Sequence, residues 1–167
     1  MDLKAYYTAL ETRLGNYLIF GGRAHLGLYP RGTWWPFPIH RALLAMEDHL
    51  FHALALQPGS TVLDAGCGDA QVAIYLASKG LRVQAIDVLA EQVQRARSTV
   101  ARSGMQHLAV TMARDDYHRL ESVDEASLDG VYTMETLVHA RDPMVVMAEF
   151  LRVLKPGGRL SGRAQHL

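Results

Sequence analysis

The sequence predicts an α/β fold, a doubly wound and mostly parallel sheet with an N-terminal helical appendage, and three of its features say so. From Thr61 onward, short apolar runs alternate with stretches of helical periodicity, the pattern of parallel strands joined by crossover helices. A glycine-broken turn, "DAGCGDA", separates the first apolar run from the helical pattern behind it. The chain has 167 residues, 49% of them hydrophobic, which suffices for one domain with a sizeable core.

The elements follow in order. Residues 2–14 read as a short helix. Residues 16–38, "NYLIFGGRAHLGLYPRGTWWPFP", hold too much glycine, proline and aromatic character for regular structure. A helix is expected from about Ile39 to Leu56, with Leu43, Leu44, Met46, Leu50, Phe51 and Leu54 on its apolar face. "QPGS" at 57–60 ends it. Strands are then expected at Val62–Leu63, Leu81–Ile86, Leu108–Met112 and Leu128–Met134. Helices are expected at Ala70–Ser78, Glu91–Ser103 and Pro143–Leu154, and "KPGGRL" turns toward a fifth strand. No polar linker divides the chain, so residues 1–57 read as a cap packed on an α/β unit of 58–167.

Composition excludes several classes. Seventeen basic residues balance seventeen acidic ones, so net charge gives no case for nucleic acid or an anionic membrane as main partner. No apolar run is long enough to span a bilayer, and the charged start lacks the core of a secretory signal. The single cysteine, Cys67, has no internal disulfide partner, and the cytoplasm is the default compartment. The eight histidines show no metal-ligand spacing, so no metal is expected.

The glycine turn carries the chemistry. Gly66 and Gly68 stand between a strand and a helix, where missing Cβ atoms let a ligand approach free backbone N–H groups. Asp87 closes the next strand, about twenty residues on, placed to accept hydrogen bonds from two ribose hydroxyls. The alternative is an ordinary tight turn with a solvated Asp87. A dinucleotide site would want a third glycine where Gln71 stands, and Asp64 would repel a pyrophosphate while suiting an ammonium group. Both point to a cationic adenosine derivative.

"VLDAGCGDA", "VQAIDVL", "LDGVYTMETLVHA" and "VLKPGGRL", in this order, resemble the class I S-adenosylmethionine-dependent methyltransferases. More narrowly, the chain is similar to the sterol methyltransferase-like small-molecule enzymes of fungal secondary metabolism. The resemblance implies a Rossmann-like fold, S-adenosyl-L-methionine as cofactor, and methyl transfer to an apolar small-molecule acceptor. It implies that Asp64, Gly66, Cys67 and Gly68 hold the methionine side, and that Asp87 binds the ribose with Val88 beside the adenine. Asp116 and the Tyr117 backbone would meet the adenine amino edge, and Met134 and Glu135 the sulfonium side. Ala70 departs from the family's usual third glycine.

In-line methyl transfer needs positioning more than a built nucleophile, and no nucleophilic constellation is evident. Glu135 and His139, four residues apart, could share a helical face in the pocket, Glu135 stabilising positive charge and His139 taking a proton. The alternative is a helix-start glutamate facing the dipole and a packed histidine. The aromatic loop "YPRGTWWPFP" suits a lid over the acceptor, or a seal on the sheet edge or against a second subunit. Tyr6 and Tyr7 could reach the cofactor. At the C-terminus "RLSGRAQHL" makes a poor fifth strand, with Arg163, Gln165, His166 and a strand-weakening Gly162. The sheet then reads as lacking its last strands, a truncated form of the fold with an open edge that a second copy could cover. A truncated chain could also be a cofactor-binding or interaction module with little or no catalysis.

Overall fold

The computed structural model describes residues 23, 25–35, 37–105 and 108–163. The helix expected over 2–14, with Tyr6 and Tyr7, lies outside the described residues, as do Gln165 and His166.

The apolar runs form five strands: β1 (Thr61–Ala65), β2 (Arg82–Asp87), β3 (Val110–Arg114), β4 (Leu128–Met134) and β5 (Leu154–Arg163). All pair in parallel, in the order β3-β2-β1-β4-β5. Among the described residues, four α-helices connect or cover them: α1 (Ile39–Leu54), α2 (Gln71–Ser78), α3 (Ala90–Arg102) and α4 (Pro143–Val153). The expected elements are present, displaced at their ends by a residue or two as caps and register dictate.

Both faces of the sheet are covered, so the central strands β1 and β4 are buried at nearly every position rather than at alternate ones. Val62, Val83, Ala85, Tyr132 and Met134 face α1, α2 and α3 and share one core with Met46, Leu50, Leu54, Leu76 and Ala96. Leu63, Ala65, Ile86 and Val131 face the other way and pack with Val146, Phe150 and Val153 of α4. Helix α1 presents Leu43, Met46, Leu50 and Leu54 at three- and four-residue spacing and ends where Ala55 turns left-handed. Helix α4 starts on Asp142, whose carboxylate accepts the Met144 and Val145 N–H groups, with Pro143 in the first helical position.

The fifth strand corrects the sequence expectation. Arg159–Arg163 run beside Gly130–Met134, so β4 has a full neighbour and the described sheet does not stop at its start. The expectation weighed side-chain propensity, but a parallel strand against a buried neighbour is held by its ladder of backbone bonds. Gly162 helps: a Cβ there would lie 3.1 Å from Thr133 Oγ1, so glycine lets the two strands approach.

Helices α2 and α3 lie on one face and α4 on the other, so the winding reverses between β1 and β4. A crevice opens there, outside the carboxyl ends of the strands, which is where ligands bind in such sheets.

Candidate functional site

A cavity of about 320 Å³ occupies that crevice. Its lining includes Asp64, Gly66, Cys67 and Gly68 from the β1 turn, Asp87 and Val88 from the end of β2, Asp116 and Tyr117 after β3, and Met134 and His139 after β4. The strand tips thus bring together ten of the eleven residues singled out from sequence. Glu135 is not among the lining.

The glycine turn works differently from the sequence expectation. The Gly66 and Cys67 N–H groups are not free, since both donate to the Ile86 carbonyl, at 3.0 and 2.8 Å. The Gly68 N–H donates to Asp87 Oδ2 at 3.1 Å, and the Leu89 N–H to Asp87 Oδ1 at 2.9 Å. Asp87 therefore ties the two lips of the crevice through backbone donors. The two glycines also differ in purpose. Both have positive φ, but a Cβ on Gly68 would meet nothing within 4 Å, whereas one on Gly66 would lie 2.6 Å from Thr136 Cγ2. Only at Gly68 does the missing side chain leave room beside the cavity.

Thr136 is the neighbour that makes Gly66 a glycine. Its hydroxyl donates to the Ala65 carbonyl at 2.7 Å, and its own carbonyl accepts from the Tyr117 hydroxyl at 3.2 Å. Ala65, Thr136 and Tyr117 thus link the tips of β1, β4 and β3. The chain reaches this position because Glu135 adopts a left-handed backbone, φ 59°. That turn, followed by a single 3-10 turn at Leu137–His139, removes the shared helical face expected for Glu135 and His139. His139 lines the cavity, and Glu135 does not.

The electrostatics are acidic and under-satisfied. Asp64 is buried, and its carboxyl is pushed up to about 7, chiefly by burial and further by the charge of Asp87, with the Tyr132 hydroxyl opposing. Burial likewise raises Asp87, against the Leu89 and Gly68 donors. Burial raises the Cys67 thiol far out of the reactive range, with the Asp64 charge adding to it. At the other rim burial pushes the Asp116 carboxyl up, but the backbone and ring N–H of His118 win and hold it below the usual range. His118 Nε2 accepts the Arg141 N–H at 3.1 Å, so its Nδ1 carries the hydrogen given to Asp116 at 2.7 Å.

Three acceptor oxygens in this lining, Asp64 Oδ2, Asp69 Oδ1 and Gln92 Oε1, are buried without any hydrogen-bond partner among the described residues. Buried acceptors of this kind are costly unless something donates to them. They fit a ligand rich in N–H and O–H groups and carrying positive charge.

Sequence reading missed several lining residues. Arg23 and His25 come from the irregular N-terminal segment and converge on Glu47 of α1, which is fully buried. Arg23 Nε lies 2.5 Å and His25 Nε2 3.2 Å from Glu47 Oε1. In the sequence Glu47 stands in the polar stretch "MEDH", and only its position among Leu43, Met46 and Leu50 hints at burial. Thr136 lies inside "LDGVYTMETLVHA" without a role of its own there, and Gln92 carries no motif signal. None of Tyr29, Trp34, Trp35 and Phe37 lines the cavity.

A fold wound this way, with a glycine turn and an acid at neighbouring strand tips, defines a nucleoside-binding α/β protein. The family profile described as a methyltransferase domain matches residues 63–161, and the chain belongs to that family of S-adenosyl-L-methionine-dependent enzymes. It is 43% identical, over 95% of its length, to the S-adenosyl-L-methionine-dependent Diels-Alderase iccD of Talaromyces variabilis, and covers 54% of that protein. It is 41% identical to the S-adenosyl-L-methionine-dependent Diels-Alderase iliD of a Neonectria species, over 95% of this chain and 60% of the relative. Among solved structures, the [4+2]-cyclase SpnF superposes with a TM-score of 0.79 at 29% identity, covering 94% of this chain and 56% of that one. The chain thus spans little more than half the length of these relatives.

Proposed function

We propose that the crevice binds S-adenosyl-L-methionine and that the chain acts on an apolar small molecule of secondary metabolism, in the cytoplasm. The observation that carries the reading is the set of buried, under-satisfied oxygens on Asp64, Asp69 and Gln92 around one cavity. In this reading Asp64 faces the methionine ammonium, and the Gly66–Cys67–Gly68 backbone shapes that end. Asp87 takes the ribose hydroxyls, Val88 flanks the adenine, Asp116 and the Tyr117 backbone meet its amino edge, and Met134 borders the sulfonium. Residues 58–167 form the cofactor-binding unit and 1–57 its cap.

Bound there, the cofactor supplies an activated methyl group and a fixed positive charge. Two reactions fit. In methyl transfer, His139 of the lining accepts the proton that the acceptor gives up, and Glu135, next in the chain to Met134, contributes charge. In ring closure the chain holds an apolar polyene beside the cation, and the cofactor is not consumed. The names of the two fungal relatives and of the superposed cyclase support ring closure. Both reactions rely on positioning and electrostatics, in keeping with the lack of a built nucleophile.

The test is calorimetric titration with S-adenosylhomocysteine, with Asp87→Ala as control. Asp87→Ala removes the acceptor for both ribose hydroxyls, so affinity should fall about a hundredfold. Incubation with methyl-labelled cofactor and a panel of acceptors and linear trienes then separates the reactions. Labelled product indicates methyl transfer, and a cyclised triene with intact cofactor indicates ring closure. A folded chain that binds no S-adenosylhomocysteine would sink the reading, and one that binds but turns nothing over would leave a cofactor-binding module.

A further inference from the structure

We infer that the loop from Tyr29 to Pro38, together with Arg41 in the first turn of α1, docks the protein on an anionic lipid surface. Trp34, Trp35 and Phe37 are 89%, 63% and 58% exposed, and Tyr29 and Leu26 are exposed beside them in the sequence. The rings form a chain, with centroids 6.2 Å apart from Trp34 to Trp35 and 5.8 Å from Trp35 to Phe37. An apolar cluster of this size on a surface marks a contact. Amphipathic indole rings favour the boundary between water and lipid headgroups.

Charge decides the kind of partner. Between Glu11 and Glu47 the sequence holds Arg13, Arg23, Arg31 and Arg41, with His25 and His40, and no acid at all. Arg31 and Arg41 bracket the aromatic cluster, are exposed, and form no ion pair among the described residues. The zero net charge of the chain hides this segregation: four positive charges in the segment offset an excess of four negative ones elsewhere. Exposed aromatics between arginines complement an anionic bilayer surface, such as the cytoplasmic leaflet, where each basic residue adds to binding. No described helix is long and apolar enough to cross a membrane, so the loop would lie on the surface. The same segment supplies Arg23 and His25 to the cavity, which places the docking loop next in sequence to the cavity wall. The inference stands apart from the chemistry assigned to that cavity.

The chain carries its own reporter, because both of its tryptophans, Trp34 and Trp35, lie in this loop. The experiment titrates the full chain with vesicles of phosphatidylcholine containing 30% phosphatidylserine, and with pure phosphatidylcholine vesicles. It follows tryptophan emission and co-sedimentation. The expected result is a blue shift with co-sedimentation on the anionic vesicles, weakened by salt. Arg31→Gln and Arg41→Gln should each reduce partitioning about fivefold without altering the circular dichroism spectrum. Trp34→Ser with Trp35→Ser, read by sedimentation alone, should reduce it about tenfold or more. An unshifted emission and no sedimentation at millimolar anionic lipid would overturn the inference. So would a blue shift that grows with protein concentration in the absence of lipid, which assigns the patch to a second copy. A shift produced by S-adenosylhomocysteine alone, with no response to vesicles, would return the loop to the role of a lid.

Discussion

Replacing Gly66 by alanine should cost the fold about 2–6 kcal/mol, while the same change at Gly68 should cost about 1 kcal/mol. The difference follows from what each Cβ would meet. At Gly66 the new methyl would stand 2.6, 2.8 and 2.9 Å from the Cγ2, Cβ and Oγ1 of Thr136, at a φ of 102°. Backbone strain of that kind costs about 1–3 kcal/mol, and overpacking a tight contact about as much again. Thr136 cannot easily withdraw, because its hydroxyl is bonded to the Ala65 carbonyl and its carbonyl to Tyr117. At Gly68 φ is 50° and nothing lies within 4 Å, so only the modest left-handed cost remains. Urea unfolding followed by circular dichroism measures both. The double variant Gly66→Ala with Thr136→Ala relieves the Cγ2 and Oγ1 contacts but keeps the strain and the 2.8 Å approach of the Thr136 Cβ, so the cycle should return only part of the overlap, about 1 kcal/mol of coupling. Binding should invert the order: Gly68→Ala faces the cavity and should lose S-adenosylhomocysteine affinity more than tenfold while folding nearly normally. Equal stability losses at the two glycines, or no coupling to Thr136, would refute this division of roles.

Asp64 gives the protein a pH dependence opposite to that of ordinary surface acids. Its folded-state pKa is about 7, against 3.8 for an ordinary aspartate, so between them the native chain holds a proton that the unfolded chain has lost. Stability should therefore fall by about 4 kcal/mol as pH rises from about 4 to 7, and Asp64→Asn should flatten that slope in urea titrations at stepped pH. For the same reason S-adenosylhomocysteine affinity in the wild type should rise with pH, up to tenfold per unit, and level off above about 7. A flat affinity profile would separate the ammonium from Asp64. Glu47→Ala should lower stability by about 3 kcal/mol, since it strands Arg23 and His25 beside a buried site. Thermal unfolding would read that loss, and Glu47→Gln should recover part of it.

What the sequence determined was whatever depends on neighbours along the chain. The run Val62–Leu63 with the broken turn behind it, the three- and four-residue spacing in α1, and Asp142–Pro143 at the head of α4 each specify an element locally. Their alternation then leaves few ways to wind a parallel sheet. Asp64, Gly68 and Asp87 were legible because they stand at strand ends, where such a sheet brings residues together. Tertiary structure decided what depends on neighbours across space. Thr136 reaches Gly66 only because β1 and β4 are adjacent at the reversal of winding, and nothing in "METLVHA" announces it. Strand β5 forms, despite Gly162 and an arginine-rich end, because β4 offers it a backbone edge and Thr133 needs the room. Glu47 is buried because Arg23 and His25 fold back onto α1 from more than twenty residues away. Local propensity and periodicity act over about a turn of chain, whereas steric fit, desolvation and strand pairing are set by groups the sequence places far apart.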